Sequence, residues 1–474
     1  MKSIKYFFIG ALLMGFSAPA MSQDMKSDIE NISKLVKENK SNPAAIKDEI
    51  KAFRKNYKKN AEALTALGRA YLDVKDTTNA VALAENALKV NSKYGPGYVL
   101  MGDIEVAKDN GGSASAWFEQ ATMMDPQNIE GYRRYAQVNS KANPTMAVMK
   151  LEELRKVRPD YPVDIISAEI FDKAGRLEKA VEYYDKVDRS QMEDYQLAAY
   201  ATDCFLLGKY EKSLEIAQMG AGKFPSNSAL NRLCMFNNTE LKKFPEAVAA
   251  GKALFVCEGA KISGNDHLYY ASALKGNKEL DSAIEQYIKA AEVAPEDKDL
   301  QISVYRDLAE VYGQKGDIDK AVENFNKYIE ISPKRTASMY GQLAALYKNQ
   351  AAKVEGAEME KYLLEADKVY ATIAEQFPTF ADYATLQRAH IGFQLDPETK
   401  TGAAKPHYEK LVEIVKGHET MDDRDKANLL EAYRYLGYYY TLAKEDGKAA
   451  EYWNKVLELD PENAAAKAAL GIKE

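Results

Sequence analysis

Tyr433–Pro461, YRYLGYYYTLAKEDGKAAEYWNKVLELDP, places Tyr, Leu-Gly, Tyr, Ala, Trp and Pro in an order whose spacing decides the fold. When the chain is aligned on Ala449 of this stretch, small residues recur at Ala80, Ala114, Ala147, Ala180, Ser213, Ala247, Ala283, Ala321, Ala366, Ala404 and Ala449. The steps are 34, 33, 33, 33, 34, 36, 38, 45, 38 and 45 residues. Four residues after each small residue stands Ala84, Phe118, Leu151, Tyr184, Ala217, Gly251, Tyr287, Phe325, Tyr370, Tyr408 or Trp453, most of them large. Twelve residues after it, proline appears at Pro126, Pro159, Pro225, Pro295, Pro333, Pro378 and Pro461. A small residue lets one helix approach another closely, and the large residue one turn later fills the space beyond the contact. Proline then ends the helix, because it lacks an amide hydrogen and clashes with the preceding turn. Gly208, Gly316 and Gly447 precede the second helices and suit tight turns between paired helices.

This pattern resembles the tetratricopeptide repeat, a helix-turn-helix unit of about 34 residues carrying W-x2-L-G-x2-Y, then A-x3-F, then P. Tyr433, Leu436, Gly437, Tyr440, Ala449, Trp453 and Pro461 match it throughout, with Tyr in the Trp position. Tyr305, Ala309, Tyr312, Gly316, Ala321, Phe325 and Pro333 match nearly as well. The resemblance implies an all-α, right-handed superhelical solenoid of about eleven helix pairs. Its organisation is a regular array over 61–335, repeats with insertions over 336–461, a degenerate repeat or cap over 24–60, and a capping helix over 462–474. The long late steps place extra segments near 348–361, 394–402 and 416–426, which are expected to make the C-terminal third more irregular.

The first 22 residues read as a cleaved secretory signal: Lys2 and Lys5, an apolar stretch from Tyr6 to Phe16, then small residues around Ala18 and Ala20. Cleavage after Ala20 or after Ser22 both fit. No cysteine stands near either point, so a soluble, exported, periplasmic protein without a lipid anchor is expected. No later run is apolar enough to span a bilayer, which takes roughly 20 residues. With 64 basic against 71 acidic residues the chain carries a net charge of −7, which argues against nucleic acid and anionic membrane as partners.

Catalytic chemistry is not readable in the sequence. His267, His390, His407 and His418 lack metal-ligand spacing, and no nucleophile-base set or carboxylate pair stands out. Cys204, Cys234 and Cys257 form no C-x-x-C pair; all three read as helical, apolar cysteines, with a Cys234–Cys257 disulfide as the alternative that an exported location permits. The segment MGAGKF (219–224) lacks the first Gly and the final Ser/Thr of a phosphate-binding loop and reads as a helix end before Pro225. Asp76-Thr77-Thr78 and Asp281-Ser282-Ala283 resemble the acceptor pattern for O-linked sugars on exported proteins of the Bacteroidetes.

The expectation is therefore a non-enzymatic scaffold without cofactor or metal, binding a partner protein or peptide. In the repeat family the second, fifth and ninth positions of the first helices face a concave groove. Carried onto this chain, that implies Arg69, Tyr195, Arg232, Phe236, Asn265, Arg306, Glu310, Arg434 and Tyr438 as partner-binding residues. Aromatic and arginine side chains suit interfaces because they offer large area with a polar handle. Two rival readings stand beside it: a glycan- or nutrient-binding accessory protein of the SusD type, and a self-assembling structural component of the envelope.

Overall fold

The computed structural model describes residues 23–472, so the secretory-signal reading lies outside the described residues. Among the described residues the secondary structure is helical, with no strand. Two compact units divide between Leu233 and Cys234.

The first unit begins with α1 (Gln23–Glu38) and α2 (Lys47–Asn56). Helix pairs follow as α3/α4 (Ala61–Asp73, Thr77–Val90), α5/α6 (Gly95–Ala107, Gly111–Met124) and α7/α8 (Ile129–Asn139, Pro144–Val157). Two more are α9/α10 (Val163–Lys173, Leu177–Tyr184) and α11/α12 (Asp194–Leu206, Tyr210–Lys223). Helix α13 (Ser228–Glu240) carries the division and is followed by α14 (Phe244–Phe255). The second unit continues with α15/α16 (Gly264–Gly276, Leu280–Val293), α17/α18 (Lys298–Lys315, Ile318–Ile331) and α19/α20 (Ala337–Ala351, Gly356–Gln376). It ends with α21/α22 (Ala381–Leu395, Lys405–Lys416), α23/α24 (Asp423–Leu442, Asp446–Leu459) and the short α25 (Ala464–Ala469). Counted from α3 to α24, the chain forms the eleven helix pairs that the spacing predicts.

The reasons are visible in each pair. All eleven aligned small residues are buried, as are the residues four positions on. In α5/α6 the ring of Phe118 lies where a side chain on Gly102 would be, so only glycine lets the two helices close. In α23/α24 the Trp453 ring stands 2.9 Å from the same position on Gly437. Helices α6, α8, α12, α16, α18, α20 and α24 each stop two residues before their proline. The residue between is extended, with ψ from 62 to 132° at Asp125, Arg158, Phe224, Ala294, Ser332, Phe377 and Asp460, as the proline ring requires of its predecessor.

The turn inside a pair has its own rule. Five residues before the small residue the backbone turns left-handed, at Lys75, Asp109, Gly175, Gly208, Lys242, Lys278, Gly316 and Lys444. Asp76, Asn110, Asn143 and Asp317 then cap the second helix by accepting the amide of the third residue on. Gly447 does not make the turn expected of it: Lys444 takes the left-handed position, and Gly447 is already the second residue of α24.

Residues 24–60 fold as α1 and α2, with α1 packed against α3, Tyr57 donating to Asp28 at 2.6 Å and Lys37 paired with Asp73 at 2.9 Å. The long steps are mostly regular structure, against the expectation of irregular surface. Ala366 is the eleventh residue of a 21-residue α20, and α23 is lengthened to 20 residues at its N-terminus. Extra helical turns satisfy their backbone groups within the helix itself. The loop after α21 is organised by Asp396, whose carboxylate accepts the amides of Lys400, Thr401 and Gly402 at 2.8–2.9 Å.

Candidate functional site

First helices of successive pairs pack on one another as well as on their partners: α3 with α5, α5 with α7, α9 with α11, α15 with α17. No comparable packing joins successive second helices among the described residues. Where they pack in this way, first helices of one unit present neighbouring side chains on a shared face.

In the second unit an open cavity of about 520 Å³ is lined from α13, α15 and α17, from the turns after α13 and α15, and by Phe244 at the start of α14. Its floor is Phe244, Leu268 and Tyr269. Tyr269 is fixed from two sides, stacked on Phe236 with ring centroids 3.9 Å apart and donating its hydroxyl to Glu240 at 2.8 Å. Gly276 is where the Phe244 ring rests, so a side chain there would push the ring out of the floor. Lys275 donates to Glu310 at 2.9 Å and lies 3.6 Å from the buried Asp307, which Arg306 approaches at 3.4 Å from its own helix. Gln314 donates to the other oxygen of Glu310 at 3.1 Å.

The residues expected to face a groove fall into three sets. Arg306 and Glu310 line this cavity, and Phe236 supports its floor. Arg69 is drawn into an ion pair with Asp103 of α5, and Tyr195 donates to Glu169 of α9 at 3.3 Å. Asn265, Arg434 and Tyr438 are exposed, while Arg232 is half-buried. The cavity also depends on Tyr269, Lys275, Lys242 and Lys278, which the second-fifth-ninth rule does not reach.

Other chemistry-bearing groups serve structure. His267 meets Gln286 at 2.7 Å, His418 meets Asp425 at 3.0 Å, and His390 meets Glu431 at 2.6 Å. That last bond, with a second from the Tyr408 hydroxyl, holds Glu431 below the usual carboxylate range. Burial pushes His407 down. No three His, Cys, Asp or Glu side chains gather as metal ligands among the described residues. All three cysteines are thiols; Cys204 and Cys234 are buried, whereas Cys257 lies in the bend after α14 rather than in a helix. The MGAGKF segment closes α12, with Lys223 donating to the carbonyls of Ser190 and Met192 at 2.9 and 3.0 Å. Asp76 caps α4, and Asp281 pairs with Lys315.

Residues 61–94 and 260–334 each match a family model described as Tetratricopeptide repeat. The chain carries tetratricopeptide repeats. Among solved structures it is similar to the C-terminal part of a repeat protein of this kind from Cytophaga hutchinsonii, at 26% identity over 58% of this chain and 99% of that one, with a TM-score of 0.42. It is also similar to a tetratricopeptide repeat protein from Parabacteroides merdae, at 15% identity over 52% and 97% with a TM-score of 0.32. A third is MamA AMB-1, at 18% identity over 36% and 96% with a TM-score of 0.31. A tetratricopeptide-repeat protein is an interaction scaffold that binds protein partners, and no helix of the described residues is long and apolar enough to cross a membrane.

Proposed function

We propose that this tetratricopeptide-repeat protein is a non-enzymatic scaffold of the cell envelope, and that it binds an extended segment of a partner protein in the cavity on α13, α15 and α17. The observation that carries the reading is that three successive first helices contribute side chains to one open cavity with an apolar floor and a charged rim. An extended peptide fits such a surface because it makes modest contacts over several repeats, with apolar side chains filling the floor and polar ones meeting the rim. The envelope location rests on the signal-like residues 1–22.

The test is photo-crosslinking in the native cell with a reactive side chain placed at Ser303, which lines the cavity, and at Lys89, which is exposed on α4. A recurrent protein adduct at Ser303, absent at Lys89 and lost in Arg306→Ala with Lys275→Ala, is expected. Equal adducts at both positions, or adducts indifferent to the double change, would remove the cavity as the binding site.

A further inference from the structure

The acids and bases of the cavity are not in balance once their internal bonds are assigned. Glu240 accepts from Tyr269, Glu310 accepts from Lys275 and Gln314, and Asp307 is buried beside Lys275 and Arg306. Lys242 and Lys278 line the same cavity, are exposed, and make no ion pair among the described residues. The cavity thus keeps its carboxylates engaged and leaves its rim cations available.

Both lysines stand at the left-handed turn inside a helix pair. Lys242 and Lys278 have φ of 58° and 67°, the left-handed region that favours glycine. The equivalent turn position in other pairs is filled by Gly175, Gly208 and Gly316 and, away from the cavity, by Lys75, Asp109 and Lys444. What sets Lys242 and Lys278 apart is their place: two successive turns put both lysines in the lining of the cavity.

Resting on the function proposed above, we infer that the segment bound in this cavity is acidic, its carboxylates meeting Lys242 and Lys278 while an apolar side chain sits on Phe244 and Leu268. The chain as a whole is acidic, at −7, so selection of an acidic partner is a property of this cavity and runs against the long-range field. Affinity should accordingly fall as salt screens the rim contacts.

The experiment uses the full chain and three fluorescein-labelled peptides of equal length, alternating Phe or Leu with Glu, with Gln or with Lys, and reads anisotropy. The Glu peptide is expected to bind about tenfold more tightly than the Gln peptide, and the Lys peptide more weakly than either. Lys242→Glu with Lys278→Glu should remove that tenfold preference, and so should Lys242→Gly with Lys278→Gly, which the turn accepts without strain. Lys89→Glu, the same charge change on a second helix, should leave it intact. Equal binding of the Glu and Gln peptides, preference for the Lys peptide, no binding of any peptide, or a Glu preference that survives both double variants would each overturn the acidic assignment. A crosslinked partner at Ser303 would in those cases leave the cavity as a protein site and change only the chemistry of what enters it.

Discussion

Two stretches of the first-helix face use charge in opposite ways. Across α3, α5 and α7 the buried Asp103 stands between Arg69, which pairs with it directly, and Arg134, whose Nε lies 3.5 Å away. One acid there ties three successive helices, and both cations are spent on stacking. Across α13, α15 and α17 the acids are engaged within the cavity and two lysines remain over. The repeat fixes the geometry of both stretches. What differs is which positions carry charge, so one stretch closes on itself and the other is open to a ligand.

The comparison holds only if the two stretches share the same interior, and the largest expected effect tests that. Phe118 and Phe325 occupy the same repeat position in the two units, 1% and 6% exposed. Phe118→Ala and Phe325→Ala should each cost about 3–5 kcal/mol in urea unfolding, because each removes a ring from a close-packed helix pair. A loss confined to one of them would mean that the units differ in packing and not only in surface charge.

A third arrangement lies between these two, on α9 and α11, where acid faces acid. Asp203 is buried with Oδ2 lacking a hydrogen-bond donor, and Asp172 of α9 faces it. Burial first, and then the Asp172 carboxyl, push Asp203 up to about 8, while Glu169, Lys173 and Tyr184 complete the surroundings. An unfolded aspartate titrates near 3.9, so between that value and about 8 the folded chain holds the extra proton. Stability from this pair is complete below about pH 4 and is lost as pH rises through 8, by at most about 1.4 kcal/mol per pH unit per proton. Asp203→Asn, which mimics the protonated side chain, should flatten the fall in thermal midpoint between pH 6 and pH 9. An unchanged pH profile in that variant would show that the pair carries no proton.

Smaller still is the contrast between the two acids of the opening comparison. Asp103→Ala should cost about 1–2 kcal/mol, since it removes a charge-assisted bond but leaves guanidinium groups that water can reach. Glu310→Ala, at a carboxylate 54% exposed, should change stability by less than about 0.5 kcal/mol. Equal losses would make the cavity acid as structural as Asp103.

How much of this was legible depended on whether a residue's role is set inside one repeat. The helix pairs were readable because the small residue, the large residue four on and the proline act within a single unit. In nine pairs the small residue is the fourth of its helix. The exceptions are Ala366 and Ala404, where α20 starts early and α22 late; register alone does not distinguish added helical turns from an inserted loop. Arg306 and Glu310 were reached by register, but Tyr269 and Lys275 act through bonds to neighbouring repeats, and no spacing within one unit reveals those. Gly447 misled because the glycine of an Asp-Gly pair looks like a turn, whereas the left-handed residue is Lys444, five before Ala449. The same offset from Gly208 and Gly316 marks Lys242 and Lys278, so their unusual backbone was available from the alignment once the offset was known.

Those two lysines give the smallest predicted change and the sharpest use of it. A side chain in the left-handed region costs roughly 1–2 kcal/mol, and replacing it with glycine returns that cost while adding about 0.4–1 kcal/mol of unfolded-chain entropy. Lys242→Gly and Lys278→Gly should therefore each stabilise the chain by roughly 0.5 kcal/mol, read as a small rise in thermal midpoint. Lys75→Gly, at φ 66° in the first unit, should gain the same amount, since the turn geometry is shared. Stability alone does not separate the two stretches at this position; binding does. Loss of the acidic-peptide preference in the Lys242 and Lys278 variants, with none in Lys75→Gly, would locate the difference in the use of the ammonium groups. Loss of stability on glycine substitution at Lys242 or Lys278 would instead mean that these lysines support the fold, and their availability to a ligand would be in question.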